Sequence, residues 1–339
     1  MVLQGRVRAG FRTDLVLVVL GTWFSVGLFL DAWAHANVPQ LESFFTPWHA
    51  VFYSGFAATG AWISWLVWRN YRQGLRGLDA VPAGYGPAVV ALPIFAVSGF
   101  GDYLWHTFLG IERGIDILYS PTHLGLITSM ILILNTPLRT AWADRALVAP
   151  SFRQFLPAVL SVAFTTSLIL LFAGFGDATV FSADGIVEAF SFTKGQENEQ
   201  VLVLCASVAV TNTVLLAPLL VVVRRFRVPV GTATVINVVC MVLSTAIAGY
   251  ANLSTALGFV FAGVVADVLL WWLKPGGDSP ARLRVFAGVS AFSTWVIYFV
   301  VASVVYGRLP SVTEMWTGAP VLAALHAVLL AVLVLPSRR

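Results

Sequence analysis

Long apolar blocks alternate along this chain with short polar connections. A helix needs about 20 apolar residues to cross a bilayer. Ten blocks approach that length, at roughly 14–36, 47–68, 86–109, 120–138, 154–175, 200–223, 229–249, 254–273, 285–306 and 316–336. The pattern predicts an all-α fold, a polytopic integral membrane bundle of about ten transmembrane helices. The basic residues test that count. Arg6, Arg8 and Arg12 precede the first block, and Arg69, Arg72 and Arg76 follow the second. Arg139, Arg145 and Arg153 follow the fourth; Arg224, Arg225 and Arg227 the sixth; Lys274, Arg282 and Arg284 the eighth; Arg338 and Arg339 come last. Alternation therefore puts 17 of the 20 Lys and Arg on one side, which the positive-inside rule makes cytoplasmic. Both termini are expected inside. The basic start precedes an apolar run too long for a signal-peptide core, so it is expected to remain as the first span.

Composition agrees. Of 339 residues, 58% are hydrophobic and 11% charged, with mean hydropathy +0.86, whereas soluble domains carry roughly 25% charged residues. The bilayer is thus the chain's principal partner, and a nucleic acid is not expected. The location is read as the cytoplasmic membrane of a bacterium or archaeon. Cys205 and Cys240 both sit in apolar runs and imply no disulfide framework. The longest outer connection, about 176–199, is acidic and reads as a solvated loop.

Four of the five histidines fall in two stretches of similar plan. In the second, Asp102 and His106 are spaced i and i+4, so they share a helix face with Cβ atoms about 6 Å apart. Ser120-Pro121-Thr122-His123 then opens the next helix, with Ser120 suited to cap it, Pro121 at its first position and His123 at its third. The first stretch repeats this with Asp31, His35 and Thr46-Pro47-Trp48-His49. Antiparallel neighbours would bring each trio together toward the outer face.

An ionisable group within the bilayer costs several kcal/mol unless paired, and marks a functional candidate. One Asp-x3-His in a helix can be a simple hydrogen-bonded pair, and a lone His after Pro can be a helix-start residue. The whole arrangement occurring twice points instead to metal. A carboxylate with two imidazoles suits copper, zinc, iron or nickel rather than magnesium or calcium, and three ligands leave a position open. Glu112 and Asp116 lie in the outer turn, where a carboxylate could orient an imidazole or simply be solvated. Trp33, Trp48 and Trp105 flank the ligands as pocket walls or as interface anchors.

These residues resemble a family. The C subunit of the particulate methane and ammonia monooxygenases, which are copper-dependent membrane enzymes, carries Asp-x3-His-x12-His ending in Phe-Thr-Pro-x-His. It also carries a later Asn-x3-His-x13-His with His-Thr-Phe. Phe45-Thr46-Pro47-Trp48-His49, with Asp31 and His35, is similar to the first; His106-Thr107-Phe108, Glu112 and Pro121-Thr122-His123 are similar to the second. The resemblance covers about residues 14–138. Asp102 stands where the family has Asn, and nothing corresponds to the family's soluble copper domain. The resemblance implies one or two copper ions, with zinc or iron less favoured. It also implies activation of dioxygen to oxidise a small apolar substrate or ammonia. Partner membrane subunits or a homo-oligomer, and quinol or another electron donor, would accompany such an enzyme. The alternatives are a copper acquisition, storage or transfer protein without oxygen chemistry, and a di-iron or zinc membrane enzyme.

The chain thus divides into a metal-binding hairpin pair, 1–145, and a six-helix region without a matching motif, 146–339. In the latter, Asp267 and His326 sit at comparable depth and are expected to form a buried pair. Asn212 and Asn237 are expected to bond between helices.

Overall fold

The computed structural model describes residues 7–38, 44–110, 112, 117, 119–193, 195 and 199–335. Twelve α-helices form among them: α1 (Phe11–Asn37), α2 (Pro47–Arg72), α3 (Gly86–Phe108), α4 (Pro121–Leu134), α5 (Thr136–Ala143), α6 (Phe152–Phe172), α7 (Ala183–Ala189), α8 (Glu199–Arg225), α9 (Thr232–Ile247), α10 (Leu253–Leu273), α11 (Pro280–Tyr306) and α12 (Thr313–Val334). No strand is present among the described residues. Among the described residues, nine helical spans, α4 and α5 counted together, are long and apolar enough to cross a membrane. The protein is an all-α polytopic membrane bundle.

The seventh apolar block departs from expectation. Its helix, α9, has only 16 residues, about 24 Å at 1.5 Å per residue, less than a bilayer core. Gly231, with φ +98°, sits just before it, and Gly249 and Tyr250 follow with φ of +56° and +69°. These left-handed residues bound the helix at both ends.

The chain forms two compact units, Met1–Leu147 with Gln154–Leu168, and Val148–Arg153 with Ile169–Arg339. In the first unit α1 and α2 are antiparallel and touch through glycine. A Cβ on Gly27 would lie 2.6 Å from the Phe52 Cα, and one on Gly55 would lie 2.6 Å from the Phe24 Cα. Such reciprocal small-residue contacts let two membrane helices approach at backbone distance. Phe24, Phe52, Phe56 and Phe95 fill the space between α1, α2 and α3, with Phe56 and Phe95 stacked at 4.0 Å. This aromatic layer packs against Tyr53, which reaches the polar cluster described next.

In the second unit, polar groups serve as joints. Asn212 donates to the Ala323 carbonyl and accepts from Trp295, tying α8 to α12 and α11, as expected of it. Asn237 instead donates to Ala233 within its own helix. The acidic connection before α8 is not merely solvated. It carries two 3₁₀ turns and α7, and Asp177 is buried, accepting from the Thr179 backbone N–H and hydroxyl. The same Thr179 hydroxyl oxygen accepts from the Ser244 hydroxyl of α9 at 2.7 Å.

Candidate metal centre

Each ligand position follows from local helix chemistry. Thr46 caps α2, its hydroxyl accepting from the His49 N–H at 3.1 Å, and Pro47 occupies the first helical position. His49 is therefore held at the third residue of a fixed helix start. Pro121 and His123 hold the same places in α4. Ser120, expected to cap α4, does not; its hydroxyl instead meets that of Thr122 at 2.8 Å. Thr122 in turn donates to Asp102 at 3.1 Å, so the carboxylate takes up the local donor.

The first predicted trio is brought together as one set; in the second both histidines approach Asp102, but His123 groups with His106 and Glu112 and not with Asp102. His49 Nε2 lies 3.3 Å and His35 Nε2 3.9 Å from the Asp31 carboxylate. His106 Nε2 and His123 Nε2 lie 3.5 and 3.2 Å from one oxygen of Asp102. Glu112, expected only as a neighbour, stands at ligand distance. Its carboxylate lies 3.3 Å from His106 Nδ1 and 3.8 Å from His123 Nδ1. Asp116 lies outside the described residues.

The sets are also linked, which the sequence does not suggest. Three groups have ligand atoms within 4.8 Å of one another: Asp31–His35–His49, His49–Asp102–His106 and His106–Glu112–His123. His49 belongs to the first two groups and His106 to the last two. The His35 and His106 rings stack at 6.4 Å, and the His49 and His106 rings lie 6.1 Å apart. Seven side chains form one continuous cluster that could hold metal.

Three observations fit a cation. First, His49 Nδ1 lies 2.6 Å from the Phe44 carbonyl. A carbonyl only accepts, so Nδ1 carries the proton, and in a neutral ring Nε2 is a bare acceptor. It faces the Asp31 oxygen, also an acceptor, and two acceptors at that distance need a proton or cation between them. Second, both ring nitrogens of His106, both oxygens of Glu112 and His123 Nδ1 are buried without a hydrogen-bond partner among the described residues. Orphaned buried polar atoms are few in folded proteins and require a reason. Third, N and O ligands at 2.0–2.2 Å around a tetrahedral ion are about 3.3–3.6 Å apart. The observed separations of 3.2 to 3.9 Å bracket that edge.

Around the cluster, Tyr53 donates to Asp102 at 3.4 Å. Tyr53 lies four residues after His49, on the same face of α2, and Thr122 sits inside the Pro-x-His motif, so both were legible from spacing though not singled out. The Phe44 carbonyl is a backbone group and left no sequence signal. Trp33 and Trp48 meet edge-on at 5.6 Å beside the first set, and Trp105 is half-buried on α3.

Asp267 and His326 do not form the expected pair. Asp267 accepts from the Ala233 and Thr234 N–H groups and from the Thr234 hydroxyl, at 3.1, 2.9 and 2.6 Å. His326 Nε2 meets the Thr213 hydroxyl at 3.4 Å. The physical reason is the short α9, whose first N–H groups lack helical partners and whose dipole favours an anion there. Asp267 supplies both needs from the neighbouring helix. Against known proteins, the chain matches no family model and no curated protein, and no solved structure matches it; the case for its function is carried by the geometry of these seven side chains.

Proposed function

We propose that this protein is an integral membrane copper protein whose centre binds one or two copper ions and serves oxygen-dependent oxidation of a small apolar substrate or ammonia. The observation that carries metal binding is the orphaned His106–Glu112 pair joined to the acceptor–acceptor contact of His49 and Asp31. The tetrahedral spacing suits monovalent copper or zinc better than planar divalent copper, whose neighbouring ligands are about 2.8–2.9 Å apart at bond lengths near 2.0 Å. Copper is preferred to zinc because of the motif resemblance over residues 14–138. When bound, copper would supply one-electron redox chemistry there.

The protein's own residues bind and orient. The Phe44 carbonyl fixes the His49 tautomer so that Nε2 points inward, as backbone acceptors do for metal-ligating imidazoles. Tyr53 and Thr122 hold the Asp102 carboxylate. The Phe44 ring packs on His49 and His106, giving the cluster an apolar side of the kind a small hydrocarbon arriving from the bilayer requires. Electrons would come from quinol or another donor, and partner subunits would complete the enzyme.

The deciding experiment is metal analysis of the purified protein, followed by oxygen uptake with quinol and small alkanes, alkenes or ammonia. Copper at one or two per chain with substrate-dependent uptake supports the proposal. Zinc or iron at stoichiometry without copper refutes the metal. Copper without uptake, in the protein purified with any partner subunits, refutes the oxygenase and leaves a carrier or store.

A further inference from the structure

A second site lies in the other unit, at the end of the bundle formed by the α8–α9 connection, the C-terminus of α10 and the start of α11. There a cavity of about 560 Å³ is lined by Arg227, Lys274 and Arg282, with Val230, Leu270 and Trp271 among its apolar wall residues. We propose that it binds the headgroup phosphate of an anionic phospholipid.

The three cations come from three different segments and converge on one cavity. Among the described residues one carboxylate lines it, Asp278, in an exposed contact of 3.9 Å with Arg227. Lys274 and Arg282 form no ion pair among the described residues. Lys274 ends α10 at φ +45°, in the left-handed region. Glycine is the ordinary residue at such a helix end, so a lysine there is kept against backbone preference. The cost is understandable if the ammonium is wanted at this place.

The wall separates a lipid from a free anion. Val230 and Trp271 line the cavity, and Trp271 and the adjacent Trp272 are 65% and 70% exposed at the end of an apolar helix. Tryptophans at that level lie among lipid headgroups. A phosphate bearing acyl chains can use the cations and this apolar surface together; inorganic phosphate can use only the cations. Basic pockets between membrane helices recognise anionic headgroups in this way, and the positive-inside rule predicts that these residues face the cytoplasmic leaflet, where anionic lipids give such pockets a ligand.

The full-length protein, reconstituted in vesicles of equimolar phosphatidylcholine and phosphatidylglycerol, is extracted into detergent and its bound lipid measured by native mass spectrometry. The wild type is expected to retain phosphatidylglycerol over phosphatidylcholine. Each lost cation is expected to weaken retention about fivefold, so the Lys274→Gln/Arg282→Gln double variant should fall roughly 25-fold. Arg282→Lys, which keeps the charge, should retain most binding. Thermal unfolding and metal content confirm that each variant is folded. Trp271→Ala should weaken lipid retention without changing binding of inorganic phosphate. Equal retention of the two lipids, undiminished phosphatidylglycerol in the folded double variant, or its complete release by millimolar inorganic phosphate would each overturn the proposal.

Discussion

Replacing Gly27 by alanine tests whether the candidate metal centre is set by the packing of α1 on α2. The added Cβ would lie 2.6 Å from the Phe52 Cα and 2.8 Å from its nitrogen. Both are backbone atoms, so no side-chain rotation relieves the clash. Ordinary carbon contacts are about 3.5–4.0 Å, so α1 and α2 must separate by about 1 Å. Asp31 lies one turn beyond Gly27, and His49 three residues before Phe52, so the separation reaches the ligands nearly undiminished. The His49–Asp31 distance would grow from 3.3 Å to about 4.3 Å, beyond the 3.3–3.6 Å edge of a tetrahedral N/O site. Overpacking of this kind costs about 1–3 kcal/mol of stability. Loss of a well-placed ligand should weaken copper binding at the Asp31–His35–His49 set at least as much as the 10–100-fold seen when an outer-shell partner is removed. The assay is equilibrium copper titration of the purified variant, with helical content and thermal unfolding measured alongside. Gly21→Ala is the control. Its Cβ would meet only the Leu134 Cδ2 tip at 2.8 Å, which can rotate away, so copper binding should stay near wild type. A folded Gly27→Ala protein with wild-type copper affinity would refute the claim that this packing positions the site.

Glu112→Gln should lower copper affinity about 10–100-fold, because the uncharged amide cannot replace a carboxylate facing two imidazoles; unchanged titration would remove Glu112 from the cluster. Asp102→Asn should likewise weaken copper binding while thermal unfolding stays close to wild type. Thr46→Ala should cost about 1 kcal/mol through the lost cap and weaken copper binding, with Thr46→Ser restoring both. Burial raises the Asp177 carboxyl from 3.8 to about 6, so the folded state holds a proton that the unfolded chain has released. Stability therefore falls as pH rises from about 4 to about 6 and levels off above that. Asp177→Asn should flatten this dependence and unfold at higher temperature at neutral pH, as thermal unfolding across that window would show.

The bundle was legible because apolar length alone sets a membrane span. The exception, α9, was missed because its ends are set by three left-handed residues and by an acid from another helix, none of which changes local hydropathy. The convergence of the four histidines, two by two, was legible because i, i+4 spacing and a Pro-fixed helix start place side chains whatever the surroundings. The union of the two pairs was not. His49 and His106 are 57 residues apart in sequence, and only the glycine-tight packing of α1 on α2 and the aromatic layer against α3 bring them together. Asp267 shows the converse error. Equal depth along two helices says nothing of azimuth, and the unpaired N–H groups at the start of α9 outcompeted a histidine.

A contrast between two kinds of buried acid separates scaffold from site. In an apolar solvent, a polar group persists when it is satisfied within the protein or when it awaits a ligand. Asp267 receives three hydrogen bonds and Asp14 receives one from the Tyr85 hydroxyl; these acids hold the fold together. The cluster is different, because Asp31, Asp102 and Glu112 chiefly face imidazole nitrogens. With neutral rings and all three carboxylates ionised its charge would be −3, and a desolvated charge without a counter-ion costs several kcal/mol. Two monovalent ions would leave −1 and two divalent ions +1. On the proposed reading, a pair of copper ions exchanging electrons would therefore keep the cluster near neutrality in either oxidation state, which a single ion against three carboxylates would not. Removing one carboxylate should disturb that balance in a readable direction. The Glu112→Gln variant should favour the monovalent pair, raising the reduction potential in a titration of the copper-loaded protein. A lowered or unchanged potential would refute the two-ion charge argument.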